Sequence, residues 1–123
     1  MLTEKFFEVI NHEGVVSIVT CANNEAHVCN TWNSYLVIVD GNKILIPAAG
    51  MIKTEKNITA NSKVKLTVGS KEVMGYRYMG TGFLLEGNAK FLKDGEHFDM
   101  MKEKYPFLTR VLEITVDSCK QTL

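Results

Sequence analysis

Apolar and polar residues alternate along most of the chain in short runs, which is the pattern of strands with one buried face. Val15 to Cys21 is rich in β-branched residues and too short for a buried helix, so it predicts a strand. The same reasoning predicts further strands over residues 26–31, 36–39, 43–46, 64–70, 83–92 and 111–116. Asp40-Gly41-Asn42 is a hairpin signal. Pro47 is expected to end the strand before it, because proline removes a donor from the ladder.

Three short helices are predicted, one before the first strand and two between later strands. Thr3 is a candidate N-cap for the first helix, and Gly14 is a candidate stop after it. The second helix is predicted to start at Thr54 and to cover residues 55–61. The third is amphipathic, covers residues 94–105 and is halted by Pro106.

Tight turns join most of these elements, which favours an antiparallel β-barrel over a parallel α/β sheet. A chain of 123 residues without a repeat or a linker predicts one domain over residues 1–123. Lys and Arg together number 14, as do Asp and Glu, so the composition does not indicate a strongly basic nucleic-acid-binding face. No apolar run approaches the roughly 18 residues of a membrane-spanning helix, and the N-terminus lacks a signal-peptide pattern, so a cytoplasmic protein is expected.

The cysteines and histidines do not indicate a metal site or a catalytic site. Cys21, Cys29 and Cys119 are far apart, form no Cys-x-x-Cys pair and are interpreted as buried structural thiols. His27 and Cys29 share a strand face, but a structural zinc site needs further ligands that the sequence does not supply. No histidine has a partner at catalytic spacing, so no catalytic residue is predicted.

Gly50 to Thr54 is a candidate anion site. A helix start carries unpaired N–H groups and partial positive charge, and here Lys53 adds a full charge and Thr54 a hydroxyl. Gly50 lets the backbone approach a ligand closely. The alternative interpretation is that Thr54 only caps the helix and that Lys53 is solvated. The spacing of a P-loop is absent.

Asn30 to Tyr35 is a candidate site for a planar ring. Its amide and hydroxyl side chains can hydrogen-bond a ring edge, and Trp32 and Tyr35 can cover a ring face. The alternative is a polar turn in which Trp32, the only tryptophan, fills the core. Combined with an anion site, this segment predicts a site for flavin mononucleotide (FMN). Gly80-Thr81-Gly82 is a weaker candidate for holding an anion or a ring edge, and a hairpin turn is the preferred interpretation there.

These segments resemble the flavin-binding split-barrel family, which includes pyridoxamine 5'-phosphate oxidase and the small FMN-binding proteins of sulfate-reducing bacteria. The likeness extends to Phe6–Val9, Glu13–Val16, Gly80–Leu84 and Gln121–Leu123, so it runs nearly from end to end. The resemblance implies a mainly β fold, an antiparallel Greek-key split β-barrel with a few short helices. It also implies a homodimer with one non-covalently bound FMN per subunit, near the dimer interface.

The same resemblance implies which residues contact FMN. Lys53 and Thr54 would hold the phosphate, with Asn33 and Ser34 nearby. The other implied contacts are Asn30, Thr31 and Trp32 at the isoalloxazine ring, Pro47, Gly50 and Met51 along the cofactor, Thr81 and Gly82, and Phe107 and Leu123 from the partner subunit, with Tyr35 and Ile52 included among the cofactor-binding residues. Ile52 and Phe107 depart from the pattern, since a close relative in this family has a polar ring and a larger aromatic at these places. Ring-edge hydrogen bonding and shielding from solvent are therefore expected to differ.

Three functions are compatible with such a site. The first is electron transfer with a redox protein partner. The second is an FMN-dependent oxidoreductase, such as a flavin reductase or an oxidase similar to pyridoxamine 5'-phosphate oxidase. The third is FMN storage or sensing. Electron transfer is preferred, because the sequence supplies no nicotinamide or pyridoxal site.

Overall fold

Seven strands and three short α-helices make up the computed structural model, which describes residues 1–123. The strands are β1 (Val15–Ala22), β2 (Glu25–Trp32), β3 (Val37–Val39), β4 (Lys43–Ala48), β5 (Lys63–Met74), β6 (Met79–Leu92) and β7 (Arg110–Gln121). The helices are α1 (Glu4–Ile10), α2 (Ile52–Ala60) and α3 (Glu96–Lys104), and a 3-10 turn covers Asn33–Tyr35.

All of the strands belong to one antiparallel sheet in the order β2-β1-β5-β6-β7-β4-β3. The edge strands β2 and β3 do not pair with each other, so the sheet does not close. This confirms the predicted mainly β, antiparallel architecture with a few short helices.

The core forms where the alternating pattern places apolar side chains on one face of the sheet. Every second residue is buried in the first half of β5, namely Val64, Leu66 and Val68. Phe6 and Val9 of α1 are fully buried in the same cluster. A second cluster involving α3, β4 and β7 consists of Leu45, Met101, Leu108 and Val111.

The first helix begins as the sequence predicts but ends earlier. Thr3 is its N-cap, and its hydroxyl accepts a hydrogen bond from the N–H of Phe6 at 3.2 Å. The prediction that Gly14 stops the helix is wrong, because α1 already ends at Ile10. Glycine is needed at position 14 for another reason: a Cβ there would collide with the carbonyl oxygen of Gly69.

Pro47 does not end β4, contrary to the prediction. It lies within the strand and pairs with Val111 of β7. The pairing of β3 with β4 reaches only to Leu45, so beyond that residue one side of β4 has no neighbour. Proline is tolerated there because its nitrogen needs no partner on the open side.

Other boundaries also differ from the predicted ones, and two of them concern candidate site residues. The second helix begins at Ile52 rather than at Thr54. Gly80-Thr81-Gly82 is not a hairpin turn, because β6 already starts at Met79 and Thr81 pairs with Ser70.

The cysteines are less buried than the sequence suggested. Cys21 is exposed, so the interpretation of a buried thiol is wrong for this residue, and Cys29 and Cys119 are partly buried. Burial raises the pKa of the Cys119 thiol. None of the three forms a disulfide. No helix of the structure is long and apolar enough to cross a membrane.

Candidate functional site

The start of α2 presents a run of free backbone amides. Met51 occupies the cap position in a left-handed conformation (φ 61°, ψ 35°), and no side chain caps the helix. The first N–H bonded within this region is that of Glu55, which donates to the carbonyl oxygen of Met51 at 2.9 Å. None of the amides from Gly50 to Thr54 donates to another group of the chain. Because a helix start also carries partial positive charge, this run attracts an anion.

Lys53 and Thr54 differ in burial at the start of α2. Lys53 is exposed, whereas Thr54 is fully buried. The hydroxyl of Thr54 lies 3.2 Å from the sulfur of Cys29, so it packs α2 against β2. The alternative interpretation of Thr54 as the helix cap is wrong, because Met51 holds the cap position.

The end of β2 alternates between the two faces of the sheet. Thr31 is buried, while Asn30 and Trp32 are exposed. The side-chain nitrogen of Asn30 donates to the hydroxyl of Ser17 at 3.1 Å. Trp32 is 47% exposed, so the interpretation of this residue as core filler is wrong. Its indole is available to cover a planar ligand.

Asn33 is a buried residue whose side chain binds three backbone carbonyl groups. Its side-chain nitrogen donates to the carbonyl oxygens of His12 at 2.9 Å, Gly69 at 3.0 Å and Val9 at 3.4 Å. The residue is 1% exposed, and its side-chain oxygen has no partner. Asn33 therefore ties the end of α1 to β5 and positions the 3-10 turn that it begins.

Ser34 is bound to a carboxylate that the sequence analysis did not single out. The hydroxyl of Ser34 donates to one oxygen of Glu13 at 2.7 Å, and its N–H donates to the other at 3.2 Å. These hydrogen bonds from Ser34 lower the pKa of Glu13. A charged carboxylate at Ser34 disfavours a second anion there, which leaves the start of α2 as the better place for a phosphate.

Aromatic rings cluster next to the 3-10 turn. The ring centre of Tyr35 lies 5.2 Å from that of Tyr105 and 5.7 Å from that of Phe107. The hydroxyl of Tyr105 donates to the carbonyl oxygen of Ser34 at 3.0 Å. Burial, and then the neighbouring Tyr35, raise the pKa of Tyr105. Phe107 remains 51% exposed, so this cluster keeps an open aromatic surface.

The loop between β4 and α2 is exposed to solvent, and its carbonyl groups are bound by Arg110. Pro47 is buried at the end of β4, whereas Ala49 and Gly50 are exposed. Arg110 donates hydrogen bonds to the carbonyl oxygens of both exposed residues. A Cβ on Gly50 would meet no atom within 4 Å, so the space beside this backbone is open to a ligand. Ile52 is 75% exposed.

Thr81, Gly82 and Leu123 form a separate group on β6 and the C-terminal tail. Thr81 is buried, and its hydroxyl donates to the carbonyl oxygen of Leu123 at 3.1 Å. The N–H of Tyr76 donates to the same oxygen at 3.0 Å. The side chain of Leu123 is 65% exposed beside the β5–β6 hairpin, with which it borders a mostly apolar groove of about 440 Å³.

A cavity of about 500 Å³ contains none of the predicted site residues. It lies among mostly polar residues of β1, β5, β6 and β7, including Cys21, Lys63, Lys65, Asn88 and Asp117. Size alone does not make it the functional site, because it has no run of free amides like that of α2. No group of three or more His, Cys, Asp or Glu residues is placed to hold a metal ion.

Three residues of the candidate region were missed in the sequence. Glu13 and Tyr105 act through contacts between segments distant in the sequence, and no local pattern marks them. Arg110 did leave a signal in the sequence, since it is a single charge directly before an apolar strand pattern. In the structure it is 8% exposed. A charge in such a place indicates a buried partner.

Comparison with known families and sequences gives a consistent result. The sequence model of the family described as pyridoxamine 5'-phosphate oxidase matches residues 2–123. A protein of Nitratidesulfovibrio vulgaris (strain DSM 19637 / Miyazaki F) named FMN-binding protein is 46% identical over 123 residues, which cover 100% of both chains.

Solved structures agree on the fold. A variant of HupZ from Group A Streptococcus superposes with a TM-score of 0.82 at 16% identity, covering 99% of this chain and 100% of the other. An FMN-binding protein from Syntrophomonas wolfei subsp. wolfei superposes with a TM-score of 0.77 at 20% identity, covering 99% of this chain and 86% of the other. At these identities the similarity shows a shared fold and leaves the site to be argued from this chain's own residues.

Proposed function

The chain belongs to the pyridoxamine 5'-phosphate oxidase family, and we propose that it is a flavoprotein that binds one FMN per chain and transfers electrons. The observation that carries the proposal is the run of free amides from Gly50 to Thr54, with the exposed ammonium group of Lys53 beside it. The full-length relative named FMN-binding protein supports the choice of ligand.

The residues at the start of α2 fit a phosphate monoester. Such a group carries close to two negative charges at neutral pH and accepts several hydrogen bonds. The free amides supply donors, the helix dipole supplies partial positive charge and Lys53 supplies a full charge. Thr54 contributes its backbone N–H, since its hydroxyl is turned toward Cys29.

The residues of β2 and the 3-10 turn fit the ring of the same ligand. Trp32 and Tyr35 offer aromatic surface, and Asn30 offers an exposed amide for a ring edge. Bound FMN supplies one- and two-electron oxidation and reduction. The chain's own residues bind the phosphate, orient the ring and limit the access of water.

The visible absorbance spectrum of the purified protein tests the proposal. We expect flavin bands and, after release from the protein, FMN identified by its mass at about one per chain. A colourless protein that also takes up no added FMN would overturn the proposal.

We also propose that two chains associate and that electrons pass to or from a redox protein partner. The exposed side chains of Tyr76, Tyr78, Met79 and Leu123 support an association surface at the hairpin and tail. A sedimentation experiment is expected to give the mass of two chains, and a monomer at micromolar concentration would reject the dimer. Reoxidation of the reduced protein by a redox protein such as a cytochrome, at a rate well above that of free FMN, is the expected sign of electron transfer.

An oxidoreductase acting on a small molecule is the second candidate, because the matched family is described as pyridoxamine 5'-phosphate oxidase. Steady-state assays with pyridoxamine 5'-phosphate and with NADH separate the two functions. We expect turnover of neither, since the sequence supplies no nicotinamide or pyridoxal site. Sustained turnover of either substrate would favour the enzyme.

A further inference from the structure

Arg110 is a buried charge behind the loop that leads into α2. It is the first residue of β7 and is 8% exposed. Its Nε donates to one carboxylate oxygen of Glu55 at 2.7 Å, and the Nζ of Lys93 lies 3.7 Å from the other oxygen. The guanidinium carbon lies 5.2 Å from the ring centre of Phe91. A buried arginine needs its charge and its donors satisfied, and Glu55 neutralises this one.

The two terminal nitrogens of Arg110 hold consecutive carbonyl groups of the loop. Nη1 donates to the carbonyl oxygen of Ala49 at 3.2 Å, and Nη2 donates to that of Gly50 at 2.5 Å. Nη1 also donates to the hydroxyl of Thr109 at 2.7 Å. The only other side chain that hydrogen-bonds to these two carbonyl groups is that of Thr109, whose hydroxyl lies 3.5 Å from the carbonyl oxygen of Ala49. The planar fork of the guanidinium therefore fixes two neighbouring peptide planes at once.

The direction of the carbonyl groups decides the direction of the amides. In a trans peptide the C=O and the following N–H point in opposite directions, and the unit is planar. Arg110 draws the carbonyl groups of Ala49 and Gly50 toward itself, so the N–H groups of Gly50 and Met51 point away from it. These two amides begin the run of free donors from Gly50 to Thr54.

We infer that Arg110 is a positioning residue for the phosphate of FMN, which it orients from behind the loop without touching it. The inference rests on the proposed function. Because Glu55 neutralises the guanidinium, the main effect of Arg110 is the orientation of amides rather than the supply of charge to the ligand. Its loss has a second consequence, since Glu55 would remain as an uncompensated negative charge in the first turn of α2.

The ratio of the affinities for FMN and riboflavin tests this role. The two ligands differ only in the phosphate, so a residue that positions phosphate donors changes the ratio, whereas general destabilisation lowers both affinities. In the chain of 123 residues freed of flavin, Arg110→Met is expected to weaken the binding of FMN about tenfold or more and that of riboflavin by less than about twofold, as measured by fluorescence titration. Arg110→Lys keeps the charge but loses the fork, and is expected to lie between wild type and Arg110→Met.

Lys90→Met is the matched control. It removes one positive charge from a different ion pair, in which the Nζ of Lys90 lies 3.8 Å from a carboxylate oxygen of Glu113. The loop before α2 is not changed by this substitution. Both affinities are expected to stay at the wild-type values. If Arg110→Met does not fold, Arg110→Lys alone decides by the same ratio.

Two results would overturn the inference: equal weakening of FMN and riboflavin by the Arg110 variants, or unchanged binding of FMN. A wild-type chain that binds neither flavin would reject the proposed function instead. The orientation itself is then tested without flavin, by the amide chemical shifts of Gly50 and Met51 in nuclear magnetic resonance spectra. These shifts are expected to move in Arg110→Lys and not in Lys90→Met, and unmoved shifts would overturn the role of Arg110.

Discussion

The starts of α1 and α2 differ in what binds their free backbone N–H groups. A helix start leaves several N–H groups without partners inside the helix. In α1 the hydroxyl of Thr3 accepts one of them, from Phe6 at 3.2 Å. In α2 no side chain accepts any, and Met51 takes a left-handed conformation at the cap. We call the start of α1 closed, because a side chain accepts one of its N–H groups, and the start of α2 open, because no side chain does.

The start of α3 shows that the lack of a cap is not sufficient for an anion site. No side chain caps α3 either, but Glu96 and Asp99 in its first turn meet the positive end of the helix with negative charge. The acidic residue in the first turn of α2, Glu55, is instead bound to Arg110. The start of α2 is therefore the one that favours an anion. It is uncapped, its acidic side chain is neutralised, and it carries an exposed lysine.

Blocking the open start of α2 is expected to have the largest effect. In Gly50→Val the added methyl groups fill the free space beside the loop, where a Cβ meets no atom of the chain within 4 Å. We expect FMN affinity to fall by about a hundredfold or more, while the free energy of unfolding of the flavin-free chain changes by no more than about 0.5 kcal/mol. Isothermal titration and urea unfolding measure the two quantities.

Gly50→Ala serves as the graded control for this substitution, and its smaller side chain is expected to give a smaller loss of FMN affinity. If Gly50→Val bound FMN as tightly as wild type, the phosphate would not approach this loop. The contrast between α1 and α2 would then have no functional meaning.

Removing the charge of Lys53 is expected to have a moderate effect. Lys53→Met should weaken FMN about tenfold at low salt and by less at high salt, because exposed charges are screened. Lys56→Met, which removes an exposed lysine from the same helix, is the matched control and should leave FMN affinity nearly unchanged. Equal effects of the two substitutions would mean that only the overall charge matters and not the helix start.

The same contrast shows what the sequence could predict and what it could not. The sequence predicts Thr3 as a cap because capping is local, and it predicts the strands because their residues alternate between a buried and an exposed face. The sequence predicts the start of α2 at Thr54, whereas Met51 holds the cap position. The carbonyl groups before it are bound by Arg110, and no local pattern marks this contact because it joins segments far apart in the sequence. Glu13 was missed for the same reason.

Opening the closed start of α1 is expected to change stability and not binding. Thr3→Ala removes the acceptor for the N–H of Phe6, and should lower the free energy of unfolding by about 1 kcal/mol, as measured in urea. Thr3→Ser restores an acceptor and should restore most of the loss. FMN affinity is expected to be the same in all three proteins. A loss of FMN affinity in Thr3→Ala would show that the two helix starts are not independent.

Substitution of Glu13 is expected to have the smallest effect on FMN affinity, and it distinguishes between two positions for the phosphate. If the phosphate lay at Ser34, Glu13→Gln would strengthen FMN binding by removing a nearby negative charge. With the phosphate at the start of α2, FMN affinity should stay nearly constant.

The pH dependence of stability tests the state of Glu13 independently. Hydrogen bonds from Ser34 lower the pKa of Glu13 in the folded chain, so they stabilise the protein above the ordinary pKa of a glutamate. This contribution is lost as the pH falls through the lowered pKa, where the carboxylate becomes protonated. Urea unfolding should therefore show Glu13→Gln to be less stable than wild type at neutral pH, with a difference that shrinks in acid. A difference that stayed constant with pH would mean that the charge of Glu13 does not hold Ser34, and the electrostatic argument against a phosphate at Ser34 would be lost.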